Sequence, residues 1–320
     1  MLFIFPIIRD MAKLVLKLEF KTNGVSMKKD VFILFVILFV FPAFAQSSKG
    51  KIIEGIKIKS EILGEDIRYT VYLPYDYDTS NKYYPVVYLL HGYTDNDMGW
   101  VQFGEIDRLA NDAIESGEIT PMIIVMPDAG VSWYINNFDN SVRYEDFFIK
   151  EFIPQVERKY RVRTEKRYRG IAGLSMGGFG TLIYTLKHPD LFSACAPFSA
   201  AIYTKEFVKN ISESRWQKVE SVLYGPDLKG EERITDHWIS YNPLEIIKNG
   251  DAEKFKSVRY YIDCGDGDFL SEGNSELHIL MTEKEIPHEY RVRDGKHNWT
   301  YWRTGIIDGL KFIGQSFHQE

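Results

Sequence analysis

A chain of 320 residues with 45% hydrophobic and 15% aromatic side chains can bury a full core, as one large domain or two small ones. Its net charge of -6 is modest and its basic residues are dispersed, which argues against a nucleic-acid groove. The only cysteines, Cys195 and Cys264, imply no disulfide framework; both lie in or beside apolar strand-like runs and read as buried free thiols.

In chain order, Lys28-Lys29 precedes an apolar run over 31–41, and Ala43-Phe44-Ala45 stands before Gln46. This is the pattern of a secretory signal with an A-x-A cleavage site. The run is shorter than the ~20 residues that span a bilayer, and no cysteine nearby could take a lipid, so a permanent anchor is not expected. The positive segment that usually opens such a signal begins at Met27, the expected start, and residues 1–26 suggest no domain of their own. Residues 1–45 are thus expected to be an extension and signal peptide, and 46–320 one exported domain, secreted or periplasmic.

Within that domain, Ile67, Tyr69, Val71 and Leu73 alternate with Arg68, Thr70 and Tyr72, which predicts a half-exposed antiparallel strand. Val86–Leu90 and 122–126 are continuous apolar runs, as expected of strands buried on both faces, with a helix over 106–116 between them. Phe147, Phe148, Phe152, Ile153 and Val156 line one helical face, ahead of a short strand over 168–174. After it comes a helical pattern ending before Pro189, then a strand at Ala194–Phe198. Residues 201–249 are the least regular part, read as a partial lid or else a surface excursion. Further strands at 258–262 and 288–292 lead to an aspartate-rich loop and to Asp294-Gly295-Lys296-His297, before the amphipathic stretch Trp299, Trp302, Ile306, Leu310 and Ile313.

The chemistry centres on Gly173-Leu174-Ser175-Met176-Gly177, which joins a strand to a helix in the setting of a nucleophile elbow. Such a turn holds its serine in a strained conformation, and glycines on either side give strand and helix room to approach. The helix N-terminus favours the negative charge that develops in acyl transfer. A serine hydroxyl needs a base, and the base needs a carboxylate to fix its tautomer. His297 sits on a strand-to-helix loop after the acid loop, where the order serine, acid, histidine requires it. His278 lies in a helical pattern, His288 opens a strand and His318 is in the tail, so none competes well. Asp263, Asp266 and Asp268 crowd one loop: Asp263 ends the strand and reads as structural, whereas Asp266 and Asp268 lie in the turn.

Trp100, Trp133, Tyr134 and Trp299 fall on expected loops near this site and are candidates for a flat apolar substrate slot, or else core aromatics. Asp95, Asn96 and Asp97 lack the spacing of a calcium loop and read as a solvated turn, so no metal is expected. No dinucleotide fingerprint, P-loop or zinc pattern occurs, and no cofactor is expected.

Four ordered motifs carry a resemblance. His91-Gly92 after the strand 86–90, the Gly-Leu-Ser-Met-Gly-Gly of 173–178, Cys264-Gly265 with Asp268 and Leu270, and Gly295 with His297 before Trp302 together resemble an esterase family. That family includes feruloyl esterases, S-formylglutathione hydrolases, enterochelin esterases and mycobacterial mycolyltransferases, and the resemblance covers roughly residues 55–315. It implies an α/β-hydrolase fold with a mostly parallel central sheet flanked by helices. It also implies Ser175 as nucleophile, His297 as base and Asp268 as acid, with the backbone N–H groups of Tyr93 and Met176 as the oxyanion hole. Export argues against a cytosolic S-formylglutathione hydrolase. It favours an esterase removing feruloyl or acetyl groups from plant cell-wall polysaccharide, ahead of a siderophore esterase or an acyltransferase using the same triad. A non-catalytic carbohydrate-binding protein on this fold is the alternative of another class. The sequence leaves the oligomeric state open.

Overall fold

A computed structural model describes residues 49–318. The expected signal peptide within residues 1–45, and the start at Met27, lie outside the described residues. Eight strands form one sheet: β1 Lys51–Lys59, β2 Asp66–Leu73, β3 Val86–Leu90, β4 Ile123–Pro127, β5 Arg169–Leu174, β6 Ala194–Phe198, β7 Arg259–Gly265 and β8 His288–Arg293. They run in the order β1-β2-β4-β3-β5-β6-β7-β8. β1 pairs with β2 and β2 with β4 antiparallel, and every pairing from β4 to β8 is parallel.

β3 and β4 read as continuous apolar runs because alternate residues serve two cores. Val86, Tyr88 and Leu90 of β3 enter one, Val87 and Leu89 the other. On the second face lie α1 (Ile106–Glu115) and α6 (Trp299–Ser316), through Ile106 and Ala110 and through Ile306, Leu310 and Ile313. On the first lie α2 (Ile153–Lys159), α3 (Met176–Lys187), α4 (Pro243–Asn249) and α5 (Ser271–Glu283). The aromatic face read at 147–156 is buried as expected, but its first part is Tyr144–Phe147 followed by a π-helical turn at Phe148–Phe152. The wide turn lets Phe148 stack on Tyr184 of α3, with ring centroids 4.5 Å apart.

Two sequence expectations are corrected here. β2 is not half-exposed: Tyr72 enters the second core and Thr70 is buried, its hydroxyl donating to Asp97 at 2.8 Å. The edge is β1, whose isoleucines Ile52, Ile53, Ile56 and Ile58 lose strict alternation at a register shift between Ile53 and Ile56. Asp97, read as part of a solvated turn, is 3% exposed because it receives that hydroxyl. The segment 201–249 folds into short helices whose Trp216, Leu223, Trp238 and Ile247 join the same core as α3. It is anchored as a wall beside that helix, and Phe138 N ties it to the preceding loop by donating to Leu223 O at 2.9 Å.

Candidate active site

Ser175 occupies the turn between β5 and α3 with φ 55° and ψ −115°, a region L-residues avoid at a cost of order 1–3 kcal/mol. The surroundings hold it there. Its N–H donates to Phe198 O at 2.9 Å, and its carbonyl accepts from Phe179 N at 2.9 Å and Ala201 N at 3.1 Å. The flanking glycines are sterically required. A Cβ on Gly173 would lie 2.5 Å from Gly177 O, and one on Gly177 2.5 Å from Leu90 O and 2.6 Å from His91 O. Backbone on both sides leaves nothing to move aside.

His297 Nε2 lies 2.9 Å from Ser175 Oγ, and its Nδ1 lies 2.9 Å and 3.1 Å from the two carboxyl oxygens of Asp268. An ionised carboxylate only accepts, so Nδ1 carries the proton and Nε2 is left to accept from the serine hydroxyl. Burial alone would raise the Asp268 pKa. Hydrogen bonds from His297, the Leu270 amide and the Ser199 hydroxyl outweigh it and hold the carboxyl below its ordinary range. Asp268 is therefore charged at neutral pH although it is only 3% exposed.

The three aspartates of this loop have separate partners. Asp263 is fully buried and receives Arg293 through Nε and Nη2, each at 3.1 Å, together with the Tyr301 hydroxyl. Asp266 accepts from Gly295 N at 3.1 Å, and Gly267 N donates to Gly295 O at 2.9 Å, so the acid loop and the histidine loop are sewn together by backbone. Only Asp268 meets His297. The imidazole is boxed edge-on by Trp302 (4.9 Å) and flanked by Phe269 (4.6 Å), which is 70% exposed. Asn298 caps α6 by accepting from Tyr301 N at 3.1 Å, which fixes where the histidine loop ends.

Met176 is the first residue of α3, where backbone N–H groups have no partner inside the helix. The His91-Gly92-Tyr93 loop passes beside it: a Cβ on Gly92 would lie 3.7 Å from Ser175 Cβ. Buried His91 pins this loop, its Nδ1 donating to Gly92 O at 2.8 Å and its Nε2 accepting from Ala129 N at 2.9 Å. Burial lowers its pKa, which keeps the ring neutral for that role.

The aromatic candidates separate clearly. Trp100 is 1% exposed on the short helix Gly99–Gln102, where its Nε1 donates to Leu90 O at 2.9 Å, so it braces a strand end and offers no surface to a substrate. Tyr134 is likewise buried, its hydroxyl donating to His91 O at 3.1 Å. Trp299 is half-buried in the first turn of α6, packed against Trp100, Phe103 and Trp302. Trp133 lies 5.7 Å from Phe179 of the elbow helix, 6.0 Å from Tyr93 and 6.3 Å from Tyr203. Its φ of 57° is a second strained backbone position beside the site. Tyr203, Glu220 and Phe269 also approach this region, and no periodicity or motif marks them in the sequence. Cys195 and Cys264 are buried and free, their thiols pushed up to about 12 by burial. Among the described residues, no group of three or more His, Cys, Asp or Glu could hold a metal ion, and no helix is long and apolar enough to cross a membrane.

The doubly covered, mostly parallel sheet with a serine elbow after its central strand is that of an α/β-hydrolase. The chain belongs to the family described as "Putative esterase", which residues 60–313 match. Esterase Rv1288 of Mycobacterium tuberculosis is 30% identical over 264 residues, covering 75% of this chain and 54% of that protein. The Endo-1,4-beta-xylanase/feruloyl esterase of Xylanibacter ruminicola is 30% identical over 178 residues, 53% of this chain and 24% of that protein. The chain thus spans about half the length, or less, of these curated relatives. Among solved structures, a ferulic acid esterase superposes with a TM-score of 0.75 at 31% identity, covering 85% of this chain and all of that one.

Proposed function

We propose that this protein is an exported serine esterase that removes acyl groups from plant cell-wall polysaccharide, with feruloyl esters preferred to acetyl esters. The observation that carries the reading is the continuous path from the Asp268 carboxylate through His297 to the hydroxyl of a serine on a left-handed elbow. Ser175 attacks the ester carbonyl while His297 takes its proton, and Asp268 orients and stabilises the imidazolium. The amides of Tyr93 and Met176 hold the oxyanion. His297 then protonates the leaving alcohol, and a water activated by the same imidazole releases the acid.

Three things support the substrate class. Relatives in the family bear feruloyl esterase names, one joined to a xylanase. The aromatic wall of Trp133, Phe179 and Tyr203 suits a flat acyl group. Export, expected from residues 1–45, brings the enzyme to extracellular esters. The test is kcat/KM on methyl ferulate and on p-nitrophenyl acetate, each beside a Ser175→Ala control. Ferulate is expected to be preferred by tenfold or more, about 1.4 kcal/mol of transition-state binding. Turnover of acetate alone would replace feruloyl by acetyl esters, and no Ser175-dependent turnover of either would remove the hydrolase reading.

A further inference from the structure

Phe269 is 70% exposed, the most open large apolar side chain among the described residues. Its ring centroid lies 4.6 Å from that of the His297 imidazole, with the planes inclined by 52°. The other aromatic neighbour of the imidazole, Trp302, is buried, and so is Asp268 on Nδ1. Phe269 is therefore the ring that an arriving molecule meets beside the base. A single exposed apolar side chain is ordinary in itself, but this one stands on fixed backbone. Asp268 N donates to Gly265 O at 3.2 Å, Ser271 N to Asp268 O at 3.0 Å and Leu270 N to Asp268 Oδ1 at 2.9 Å. Leu270 is buried in the core. The support under the ring is thus the one that holds the acid, and little ordering is left to lose when a second surface covers it.

The chemistry decides which half of an ester stands there. In acylation the bond from Ser175 Oγ to the carbonyl carbon forms, the ester C–O bond breaks, and the proton taken by His297 passes to the leaving oxygen. That oxygen must come within about 3 Å of His297 Nε2. The alcohol half of the substrate is thereby placed beside the imidazole, and so beside Phe269. The aromatic set proposed for the acyl half is separate. Trp133 meets Tyr93, Phe179 and Tyr203, whereas among the described residues the one ring that Phe269 meets is His297. The exposed side chains next along the two loops are polar: Asp266 before the acid, and Lys296 and Asn298 on either side of the histidine.

Resting on the esterase reading above, we infer that Phe269 is the platform for the first sugar ring of the leaving alcohol. A furanose or pyranose turns a face of weakly positive C–H bonds to the negative face of an aromatic ring. Its hydroxyls stay in water or meet the polar side chains of the two loops, which a buried ring would not allow. An alkyl alcohol has no groups for those donors and acceptors. The contact draws on a part of the substrate that does not react and uses it to hold the leaving oxygen against Nε2. Because the alcohol departs once the acyl-enzyme forms, the platform acts on acylation and has no part in releasing the acid.

The experiment compares kcat/KM for methyl ferulate, propyl ferulate and a ferulate ester of the primary hydroxyl of arabinofuranose, in the wild-type, Phe269→Ala, Phe269→Leu and Phe269→Tyr proteins. The acyl group is common to all three esters, so acyl preference and any disturbance of His297 cancel in the ratio of sugar ester to methyl ester. That ratio is expected to be about tenfold or more in the wild-type protein and to fall to within about twofold of unity in Phe269→Ala and Phe269→Leu. Phe269→Tyr, which restores an aromatic face, is expected to keep it. If acetates alone are turned over, methyl acetate, propyl acetate and a sugar acetate form the same series. A ratio near unity in the wild-type protein, a ratio unchanged in Phe269→Ala, or a propyl ester as good as the sugar ester would overturn the sugar platform while leaving the esterase reading in place. Absence of all Ser175-dependent turnover would overturn the esterase reading, and the platform with it.

Discussion

The Ser175→Ala protein is expected to lose about 10⁶-fold in kcat, with a residual rate enhancement of roughly 10³–10⁴ over water. The loss is large because the hydroxyl is the atom that bonds to the carbonyl, and His297 Nε2 has no other proton to take at 2.9 Å. The residue is not zero because the oxyanion donors and the acyl wall are backbone and side chains that alanine leaves in place. The fold is expected to survive. Ser175 is held in its left-handed conformation by backbone bonds to Phe198, Phe179 and Ala201 that do not involve the hydroxyl. Unchanged activity in a correctly folded variant would remove Ser175 from the mechanism.

Asp268→Asn is expected to lower kcat by about 10⁴-fold, the scale seen when the orienting acid of a triad becomes an amide. The reason is a tautomer. Asparagine can turn an NH2 donor toward Nδ1, which then holds no proton, and Nε2 is left protonated against the serine hydroxyl it should accept from. Asp266→Asn is expected to fall within about tenfold of wild type, because an amide oxygen still accepts from Gly295 N. Measuring both variants on one ester checks the ranking. The reverse order would transfer the acid role to Asp266.

Much of this site was legible because its parts are local. The elbow is five consecutive residues, and each other member follows a strand that announces itself by β-branched and aromatic residues, so the sheet edge collects them. The choice among Asp263, Asp266 and Asp268 was less local, since it turns on partners at Arg293, Gly295 and His297 that no spacing within the loop reveals. Trp100 and Tyr134 take the core side of the two readings open to them for the same reason. A tryptophan after a strand looks available until Leu90 O is found to accept its N–H, and Tyr134 until its hydroxyl is found on His91 O. β1 was missed because the register shift between Ile53 and Ile56 breaks the alternation of its isoleucines, while β2 was assigned the exposure that belongs to that edge. Glu220 was invisible, since a glutamate in an irregular segment reads as solvated until the surrounding aromatics bury it.

β8 pairs on one side only, with β7, and its side chains are half-buried or exposed. His297, the proposed base, rides on the loop that leaves this outermost strand, so the least protected border of the sheet carries one of the three groups of the proposed triad. Borders open more often than centres, at a free energy below that of global unfolding. The Arg293 to Asp263 pair is the rivet against that opening, joining the end of β8 to a fully buried carboxylate. In rising denaturant, hydrolysis is therefore expected to fade before far-ultraviolet circular dichroism reports loss of the fold. Coincident transitions would mean that this border melts only with the whole molecule.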